Sequence, residues 1–597
     1  PGRQSAWPRK DMISASDQVV ELPGSAGHEV VYAEIAKHGK SIREMSVEET
    51  YDLIEKFGEA AWRVQQAGFD AVELHGAHGY LIAQFMSPYV NKRNDRFGGS
   101  FKNRMRFPLE IIDRIRLKCG RDFPIGIRYS GEEWMEGSRD LAESVKVALV
   151  MQEAGVSFLD ISAGIFDVPG PTMDPMYYSQ GWNTYTAEEI KKHVHIPVIT
   201  SHTLRDPSYC NQIIGEGKTD MVGLSRQLIA DPYWANKAKT GRPEEIRKCI
   251  SCLVGCWQES LMIKRECRCA INPAVGDTRF LQIDKAAQTY RVAVVGGGPA
   301  GMEAARVATL RGHKVTLFEK SGEMGGAILN CCMIHGKNKM KWYADWIRRQ
   351  VKAMGIEVKY HAEPGAAELK GFDAVIIATG AKHVKPEIPG IDAPFVLDYE
   401  DVLRCTMKNC EYYPSDKKDP VKCGNTVLVW GDHFGAADAV EKLGTEGKEV
   451  IVVTEKREFA TWMEPIHKDV MTKRFKGGNG EGLTTKTFAT PVKMLTNTTV
   501  IEIRKNGEVV LQDSEFGKSV VKVDNVVLAK FAEDNALYDA LMAQGTPAQK
   551  VGDAKSVRNL RAAVTEGADL ALILDRNLRL NANNAFIADA PATSRLL

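Results

Sequence analysis

The chain has 597 residues, 44% of them hydrophobic and 26% charged, and this length exceeds what one hydrophobic core supports, so three or four domains are expected. Lys and Arg number 78 against 77 Asp and Glu, and the net charge of +1 gives no general attraction for nucleic acid. We find no apolar run of about 18 residues and no signal peptide, and twelve cysteines are too few for a disulfide scaffold. These features predict a cytoplasmic protein without a membrane span or a nucleic-acid partner.

The first 240 residues repeat a pattern of one amphipathic helix followed by one short apolar strand. The first helix begins after Ser46, because Ser46 and Glu49 form a capping box, and Ala67-Gly68 ends it. Strands buried on both faces favour parallel pairing, so residues 1–240 are predicted to form an α/β domain of the (β/α)8 TIM-barrel type. The five predicted strands lie in the segments FDAVEL, FPIGIR, SFLDIS, IPVIT and DMVGLS.

Polar side chains follow these predicted strands, at the edge where a β/α barrel places its active site. They include two arginines and two histidines, which favour an anionic ligand that accepts hydrogen bonds. The residues at these strand ends are His75, His78, Arg128, Ser162, Thr200, Ser201, Ser225 and Arg226.

Two segments resemble signatures of the old yellow enzyme family of FMN oxidoreductases. They are VELHGAHGYLIAQFMSPYVNKRNDRFGGSFKNRMRF at 72–107 and DMVGLSRQLIADP at 220–232. The resemblance implies that His75 and His78 hydrogen-bond an electron-withdrawing oxygen of a small-molecule substrate, and that Tyr80 supplies a proton. This fits the chemistry, since imidazole donors stabilise an enolate while a phenol protonates the other carbon.

The same resemblance implies how the barrel holds FMN. Arg128 would lie beside the flavin N1–C2=O edge, where a guanidinium stabilises the negative charge of the reduced ring. Gly223 and Arg226 would hold the FMN phosphate, with Ser201 as a further contact. The loop TSHTLRDP departs from the family's glycine-rich phosphate turn at this point, and the loop 164–181, with Asp167 and Asp174, is expected to set substrate specificity.

The chain opens at PGRQ, which resembles the segment after the third strand of the family's barrel. Five strands cannot close an eight-stranded barrel. We therefore expect this chain to lack about three N-terminal β/α units, and part of the FMN site with them.

Five cysteines lie between residues 249 and 269. The spacing Cys249-x2-Cys252-x3-Cys256, with Cys269 further on, argues against disulfides and leaves an iron–sulfur cluster favoured over zinc, since Cys267-x-Cys269 is a poor zinc knuckle. The segment 241–285 is similar to the [4Fe–4S] site of 2,4-dienoyl-CoA reductase, 2-enoate reductase and trimethylamine dehydrogenase. That resemblance implies a [4Fe–4S] cluster on these four cysteines and leaves Cys267 as a spare thiol.

The segment RVAVVGGGPAGMEAARVATLRGHKVTLFEK at 291–320 predicts a strand, a glycine turn, a helix and a second strand. Gly296 makes the tight turn, Gly298 admits a pyrophosphate and Gly301 packs the helix on the sheet, while Glu319 can bind the ribose hydroxyls. Together with GEMGG, which contains Gly326, and the later VGDA, which contains Gly552 and Asp553, this pattern resembles two-domain flavoproteins. We predict that residues 286–415 and 516–597 form a Rossmann-like domain that binds FAD, or ADP in its place.

A second Rossmann-like domain, at 416–515, is predicted to be inserted in the first. Its turn begins at Gly431, but His433 replaces the second glycine and would hinder a pyrophosphate, while Glu455 favours NADH over NADPH. The sequence therefore predicts an NAD(P)H-type domain with a degenerate motif.

Two directions of electron flow follow from these resemblances. In the favoured one, NADH reduces FAD, electrons pass through the [4Fe–4S] cluster to FMN, and FMN reduces an activated C=C bond. In the alternative, an amine reduces FMN and electrons leave through the cluster to an electron-transfer flavoprotein, as in trimethylamine dehydrogenase. His75 favours the first, because amine dehydrogenases carry tyrosine there, and His433 favours the second. The sequence leaves a homo-oligomer open.

Overall fold

The computed structural model describes residues 12–17, 42–332, 334, 336–404, 421, 423–478 and 488–582. These residues form two compact units. The first contains the residues up to Leu228 together with Pro465–Thr472, and the second contains Ile229–Glu464, Lys473–Gly478 and most of the remaining C-terminal residues. In the described part of the chain, no helix has both the length and the apolar character needed to cross a membrane.

The first unit is built on parallel strands. Strands β3 to β7 form a five-stranded sheet in sequential order, and β1 pairs with β2 in a separate parallel pair. All five strands of the sheet fall in the predicted apolar segments, which confirms the TIM-barrel type of α/β domain. The strands are β1 Met12–Ser14, β2 Ile42–Glu44, β3 Val72–Gly76, β4 Ile125–Ser130, β5 Phe158–Ser162, β6 Val198–Thr200 and β7 Met221–Val222.

Helices connect these strands and cover the sheet. The predicted capping box of the first helix is present, because the Glu49 amide donates to Ser46 Oγ at 3.1 Å and the Ser46 amide donates to Glu49 Oε2 at 2.9 Å. The helices of this unit are α1 Val47–Gln66, α2 Leu81–Met86, α3 Phe101–Cys119, α4 Leu141–Glu153, α5 Pro169–Thr172, α6 Thr184–Lys191 and α7 Pro207–Gly215. Helix α8 Arg226–Ala230 spans the boundary of the two units, and α9 Trp234–Lys239 belongs to the second unit.

The core of the first unit lies between the sheet and these helices. Phe85 of α2 stacks on Phe107 of α3 with ring centroids 4.1 Å apart, and both rings are fully buried. Burying two such side chains stabilises the fold by roughly 1.5–3 kcal/mol each. The packing therefore fixes the strand ends that carry His75 and Arg128.

The second unit contains the remaining strands. They are β8 Arg291–Val295, β9 Lys314–Glu319, β10 Glu357–Tyr360, β11 Ala374–Ile377, β12 Lys382–His383, β13 Val396–Asp398, β14 Thr426–Gly431, β15 Glu449–Val453, β16 Lys493–Leu495, β17 Thr498–Ile503, β18 Glu508–Asp513, β19 Lys518–Lys522, β20 Asn525–Ala529, β21 Phe531–Ala532 and β22 Ala548–Lys550.

Two parallel sheets dominate this unit. The first has the order β10-β9-β8-β11-β22 and the second the order β13-β20-β14-β15-β16. Strands β17 to β19 form an antiparallel sheet, and β12 pairs with β21. The two predicted Rossmann-like folds are thus present, one inserted in the other.

The inserted sheet extends beyond the predicted bounds of 416–515. Strand β13 and strand β20, which were placed in the flanking domain, pair with this sheet. The reason is burial: all five side chains of β20 are buried, and a strand of this kind needs neighbours on both sides.

Helices of the second unit pack on both sheets. They are α10 Pro299–Leu310, α11 Ala327–Cys332, α12 Met340–Ala353, α13 Ala366–Leu369, α14 Tyr399–Arg404, α15 Phe434–Thr445, α16 Pro465–Phe475, α17 Ala536–Ala543 and α18 Leu560–Ala582. The first residues of α16 belong to the first unit. The cysteine segment contains a π-helix, Val254–Met262, that follows left-handed backbone at Ser251 and Leu253.

Candidate functional site

Three of the predicted catalytic and flavin residues meet at the ends of β3 and β4. His75 pairs with Arg128 across the two strands, and Tyr80 directly precedes α2. The ring of His75 lies 5.1 Å from that of Tyr80 and 5.2 Å from that of His78, between ring centroids. The structure therefore brings together an exposed imidazole, a phenol and a guanidinium.

His78 is held differently from His75. Its Nε2 atom lies 2.6 Å from Ser162 Oγ, which also contacts His202 Nε2 at 3.0 Å and accepts a hydrogen bond from Arg128 Nη2 at 3.2 Å. His78 adopts left-handed backbone, with φ of 61°. His75 is the histidine that lies open to a substrate, and His78 joins a network inside the site.

The environment sets the protonation of these groups. Although solvent reaches part of the His75 ring, desolvation by the surrounding side chains, followed by the positive charge of Arg128, lowers the pKa of His75 to about 4, and burial lowers the pKa of His78 as well. Burial also raises the pKa of Tyr80. At neutral pH both imidazoles are uncharged hydrogen-bond donors and the phenol keeps its proton, as a proton donor must.

The residues predicted to hold the FMN phosphate are all engaged within the chain. The Gly223 amide donates to the Thr200 carbonyl at 2.7 Å, and Ser201 Oγ donates to the Ile161 carbonyl at 3.2 Å. Arg226 forms an ion pair with the Asp174 carboxylate and also donates from Nη1 to the Asp174 carbonyl at 3.0 Å.

Asp174, which the sequence placed in the specificity loop, and His202, in the loop TSHTLRDP, lie together at Arg226, a contact that the sequence analysis did not predict. Asp174 is fully buried, and its carboxylate accepts hydrogen bonds from Thr203 and, at 3.3 Å, from Trp182 Nε1. His202 Nδ1 lies 3.6 Å from it. The sequence does contain one indication of this contact. Residues 164–190 include no Lys or Arg, so a buried acid in this loop must find its cationic partner elsewhere in the chain.

The first nucleotide turn has the geometry of a pyrophosphate site. A Cβ added at Gly301 would lie 1.9 Å from the Gly296 carbonyl oxygen, whereas a Cβ added at Gly298 meets no atom of the described residues within 4 Å. Gly296 has φ of 108°. Glu319 closes the turn, because its carboxylate accepts the Gly297 amide at 2.8 Å.

The three remaining residues of the predicted FAD set border this turn. Gly326, with φ of 54°, approaches it closely, since an added Cβ would lie 3.1 Å from the Gly298 Cα. The Gly552 amide donates to Glu566 Oε2 at 2.9 Å, and Asp553 Oδ1 accepts the Arg558 amide at 2.9 Å. The open space beside Gly298 and the acid at Glu319 fit a dinucleotide.

The second turn is filled by aromatic side chains. His433 caps α15, and its ring lies 5.5 Å from the rings of Trp462 and Phe531. Trp462 Nε1 donates to the Asp432 carbonyl. Glu455 accepts from Lys530, at 2.8 Å, and from two other side chains, Trp430 and Thr499.

The cysteine segment brings its four predicted ligands near one another. Burial raises the pKa of Cys252, and the charges of Cys256, Cys269 and Cys249 raise it further. None of the four forms a disulfide. Within the described ranges, however, no group of three or more His, Cys, Asp or Glu side chains is arranged to hold a metal ion. The donor types fit a [4Fe–4S] cluster, and the cluster itself stays a prediction.

Two polar groups at the strand ends of the barrel suit a flavin ring. Thr200 Oγ1, at the end of β6, is buried without a hydrogen-bond partner among the described residues, and Arg128, two strands away on β4 of the same sheet, lies 3.3 Å from the Asp160 carboxylate. These groups suit the polar edge of an isoalloxazine ring. At the predicted phosphate position, Arg226 is paired with the Asp174 carboxylate.

A barrel of this type, joined to a dinucleotide-binding fold, defines a flavin-dependent oxidoreductase. Residues 11–245 match the NADH:flavin oxidoreductase / NADH oxidase family, and residues 290–419 match the pyridine nucleotide-disulphide oxidoreductases. The chain is 39% identical over 541 residues to NADH oxidase of Thermoanaerobacter brockii, which covers 89% of this chain and 79% of that protein. The chain belongs to the NADH:flavin oxidoreductase / NADH oxidase family.

Two further comparisons support this membership. Cinnamate reductase of Clostridium sporogenes is 31% identical over 584 residues, or 94% of this chain and 83% of that protein. The solved structure of 2-naphthoyl-CoA reductase in complex with 2-naphthoyl-CoA is similar with a TM-score of 0.80 and 30% identity, over 89% of this chain and 78% of that chain.

Proposed function

We propose that the protein catalyses the NADH-dependent reduction of an activated carbon–carbon double bond, such as that of an enoate, a dienoyl thioester or an enone. The observation that carries the proposal is the exposed, uncharged imidazole of His75 beside the protonated phenol of Tyr80. Two similar proteins are named for the reduction of cinnamate and 2-naphthoyl-CoA, which are conjugated carbonyl compounds.

The side chains divide the reaction between them. His75 donates a hydrogen bond to the carbonyl or carboxylate oxygen of the substrate, which stabilises the enolate that develops there. A second donor from His78 requires that its contact with Ser162 be exchanged for one with the substrate. Tyr80 then gives its proton to the carbon next to the carbonyl, and solvent restores the phenol.

The cofactors supply the electrons. Arg128 would hold the flavin, which when bound would supply a hydride, that is, two electrons and one proton, for the β-carbon, with NADH as the stoichiometric donor. The residues Gly296, Gly298, Gly301 and Glu319 would hold FAD, or ADP in its place, and Cys249, Cys252, Cys256 and Cys269 would hold a [4Fe–4S] cluster that carries single electrons.

The cysteine assignment has a matched control two residues away. Cys269→Ala should lower the iron content and the broad visible absorption of the purified protein, whereas Cys267→Ala should leave both unchanged. Equal iron content in the two variants would refute the assignment of Cys269.

The role of Tyr80 as proton donor is tested with two electron acceptors, one that takes up a proton and one that does not. Tyr80→Phe should lower kcat for an enoate by about 10²-fold or more, since it removes the proton donor, while NADH-driven reduction of ferricyanide, which takes up no proton, stays unchanged. Tyr233→Phe, which removes an exposed phenol, is the control. A Tyr80→Phe variant with unchanged enoate kinetics would exclude the proposed role.

A second candidate function is amine oxidation, with electrons passed to an electron-transfer flavoprotein. The filled second turn favours it, since His433, Trp462 and Phe531 occupy the space next to the nucleotide turn. An amine dehydrogenase would need no NADH at this position. The two candidates differ in which compound reduces the flavin.

A further inference from the structure

The position at Arg226 that was predicted to hold the FMN phosphate is occupied by a carboxylate of the protein itself. Asp174 lies in the loop between α5 and α6, and Arg226 begins α8 after β7. The Asp174 side chain is fully buried and that of Arg226 is 18% exposed. Arg226 donates to both the carboxylate and the main-chain carbonyl of Asp174. The arginine predicted to bind a phosphate is thus neutralised from within the chain.

The loop after β6 is shaped around the same carboxylate. His202 and Thr203 have φ of 76° and 44°, a backbone conformation that a β-branched residue such as threonine rarely adopts. Thr203 Oγ1 donates to Asp174, and His202 Nδ1 lies 3.6 Å from it. These contacts hold the strained loop, because such conformations persist where the surroundings over-determine them.

The charges around Asp174 keep it ionised. Burial alone would raise its pKa, but Arg226, His202 and Arg205 lower it below its ordinary value. A phosphate brought to Arg226 would therefore meet a buried negative charge, and removing the carboxylate from its partner would leave that charge unpaired.

We propose that Asp174 acts as an internal competitor for the flavin phosphate, so that this barrel selects only weakly for FMN over riboflavin, the same ring system without the phosphate. Two other predicted phosphate donors support this, since the Gly223 amide and the Ser201 hydroxyl are bonded to main-chain carbonyls. The ring end is linked to Asp174 only indirectly in the described contacts, because Arg128 reaches it through Ser162 and His202. The inference rests on the proposed function only in that the barrel binds a flavin.

The test compares two ligands in two variants of the deflavinated full chain. Binding of FMN and of riboflavin is measured by quenching of flavin fluorescence in the wild type, in Asp174→Asn and in Asp113→Asn. Asparagine keeps the size and the acceptor oxygen of Asp174 but removes its charge, and Asp113→Asn removes an equal charge from an exposed position of α3. Binding at the dinucleotide fold is common to all three proteins and cancels in the comparison.

Asp174→Asn should tighten FMN binding at least tenfold and change riboflavin binding less than threefold, while Asp113→Asn changes neither. An equal effect on both ligands, or no tightening of FMN, overturns the proposal while leaving the proposed function intact. Failure of every variant to bind either flavin overturns both.

A measurement on the wild type alone provides a check that does not depend on the folding of a variant. The wild-type dissociation constants of FMN and riboflavin should differ by less than tenfold. A preference for FMN of tenfold or more would overturn the proposal.

Discussion

The two nucleotide-binding folds of the second unit share one strand–turn–helix–strand design, and their turns differ at the second glycine position, which is Gly298 in the first fold and His433 in the second. At Gly298 of the first fold an added Cβ meets no atom within 4 Å in the part of the chain that the structure describes. At the corresponding place in the second fold, His433 packs against Trp462 and Phe531. The comparison shows that the fold can be kept while a side chain occupies the space beside its turn, because the sheet and helix depend on other residues.

The glycines that build the turn and those that admit the ligand should respond differently to the same substitution. Gly301→Ala places a methyl group 1.9 Å from the Gly296 carbonyl oxygen and should destabilise the second unit by about 3 kcal/mol, at the upper end of overpacking effects. Gly298→Ala should leave the thermal unfolding temperature unchanged and lower the content of bound FAD or ADP. Similar unfolding temperatures for the two variants would contradict this account of the turn.

The second turn should regain affinity for NADH when its side chain is removed. His433→Gly should lower the dissociation constant for NADH about tenfold, equivalent to about 1.4 kcal/mol, since glycine at a helix N-cap costs only a few tenths of a kcal/mol. His433→Gln keeps a side chain in the same space and is the control, with titration calorimetry as the measurement. Equal NADH affinity in the two variants would show that His433 is not the obstacle.

The smallest expected effect is a pH dependence of thermal stability that arises from His433 in the second turn. Burial lowers the pKa of His433, although the nearby carboxylates Asp553, Asp432 and Asp438 oppose this. The unfolded state then binds more protons than the folded state, so the stability contributed by neutral His433 is present above pH 6.5 and is lost as the pH falls below it. Between pH 7.5 and 5.5 the wild type should lose about 1–3 °C more in Tm than His433→Gln. Parallel Tm curves would exclude this.

The sequence predicted the elements that depend on local pattern. The capping box at Ser46 and Glu49 and the apolar strands of both units follow from residues near one another in the chain, and the structure confirms them. The bounds of the inserted domain were less accessible, because the pairing of β20 with β14 joins segments about a hundred residues apart.

Only those parts of the candidate site that depend on a local sequence pattern were predicted. His75, Tyr80 and Arg128 follow directly from strand ends and the motif around them. The ion pair of Asp174 with Arg226, and the left-handed turn at His202, depend on loops from three different β/α units that meet only in the folded chain. No local sequence pattern predicts a contact of this kind.

The most direct test of the central claim is an anaerobic mixing experiment on the purified chain, with flavin absorption as the signal. Addition of millimolar NADH should bleach the flavin, and subsequent addition of cinnamate should restore the oxidised spectrum, with one NADH consumed for each double bond reduced. Bleaching by dimethylamine but not by NADH, with no reoxidation by cinnamate, would contradict the reductase and establish the amine dehydrogenase in its place.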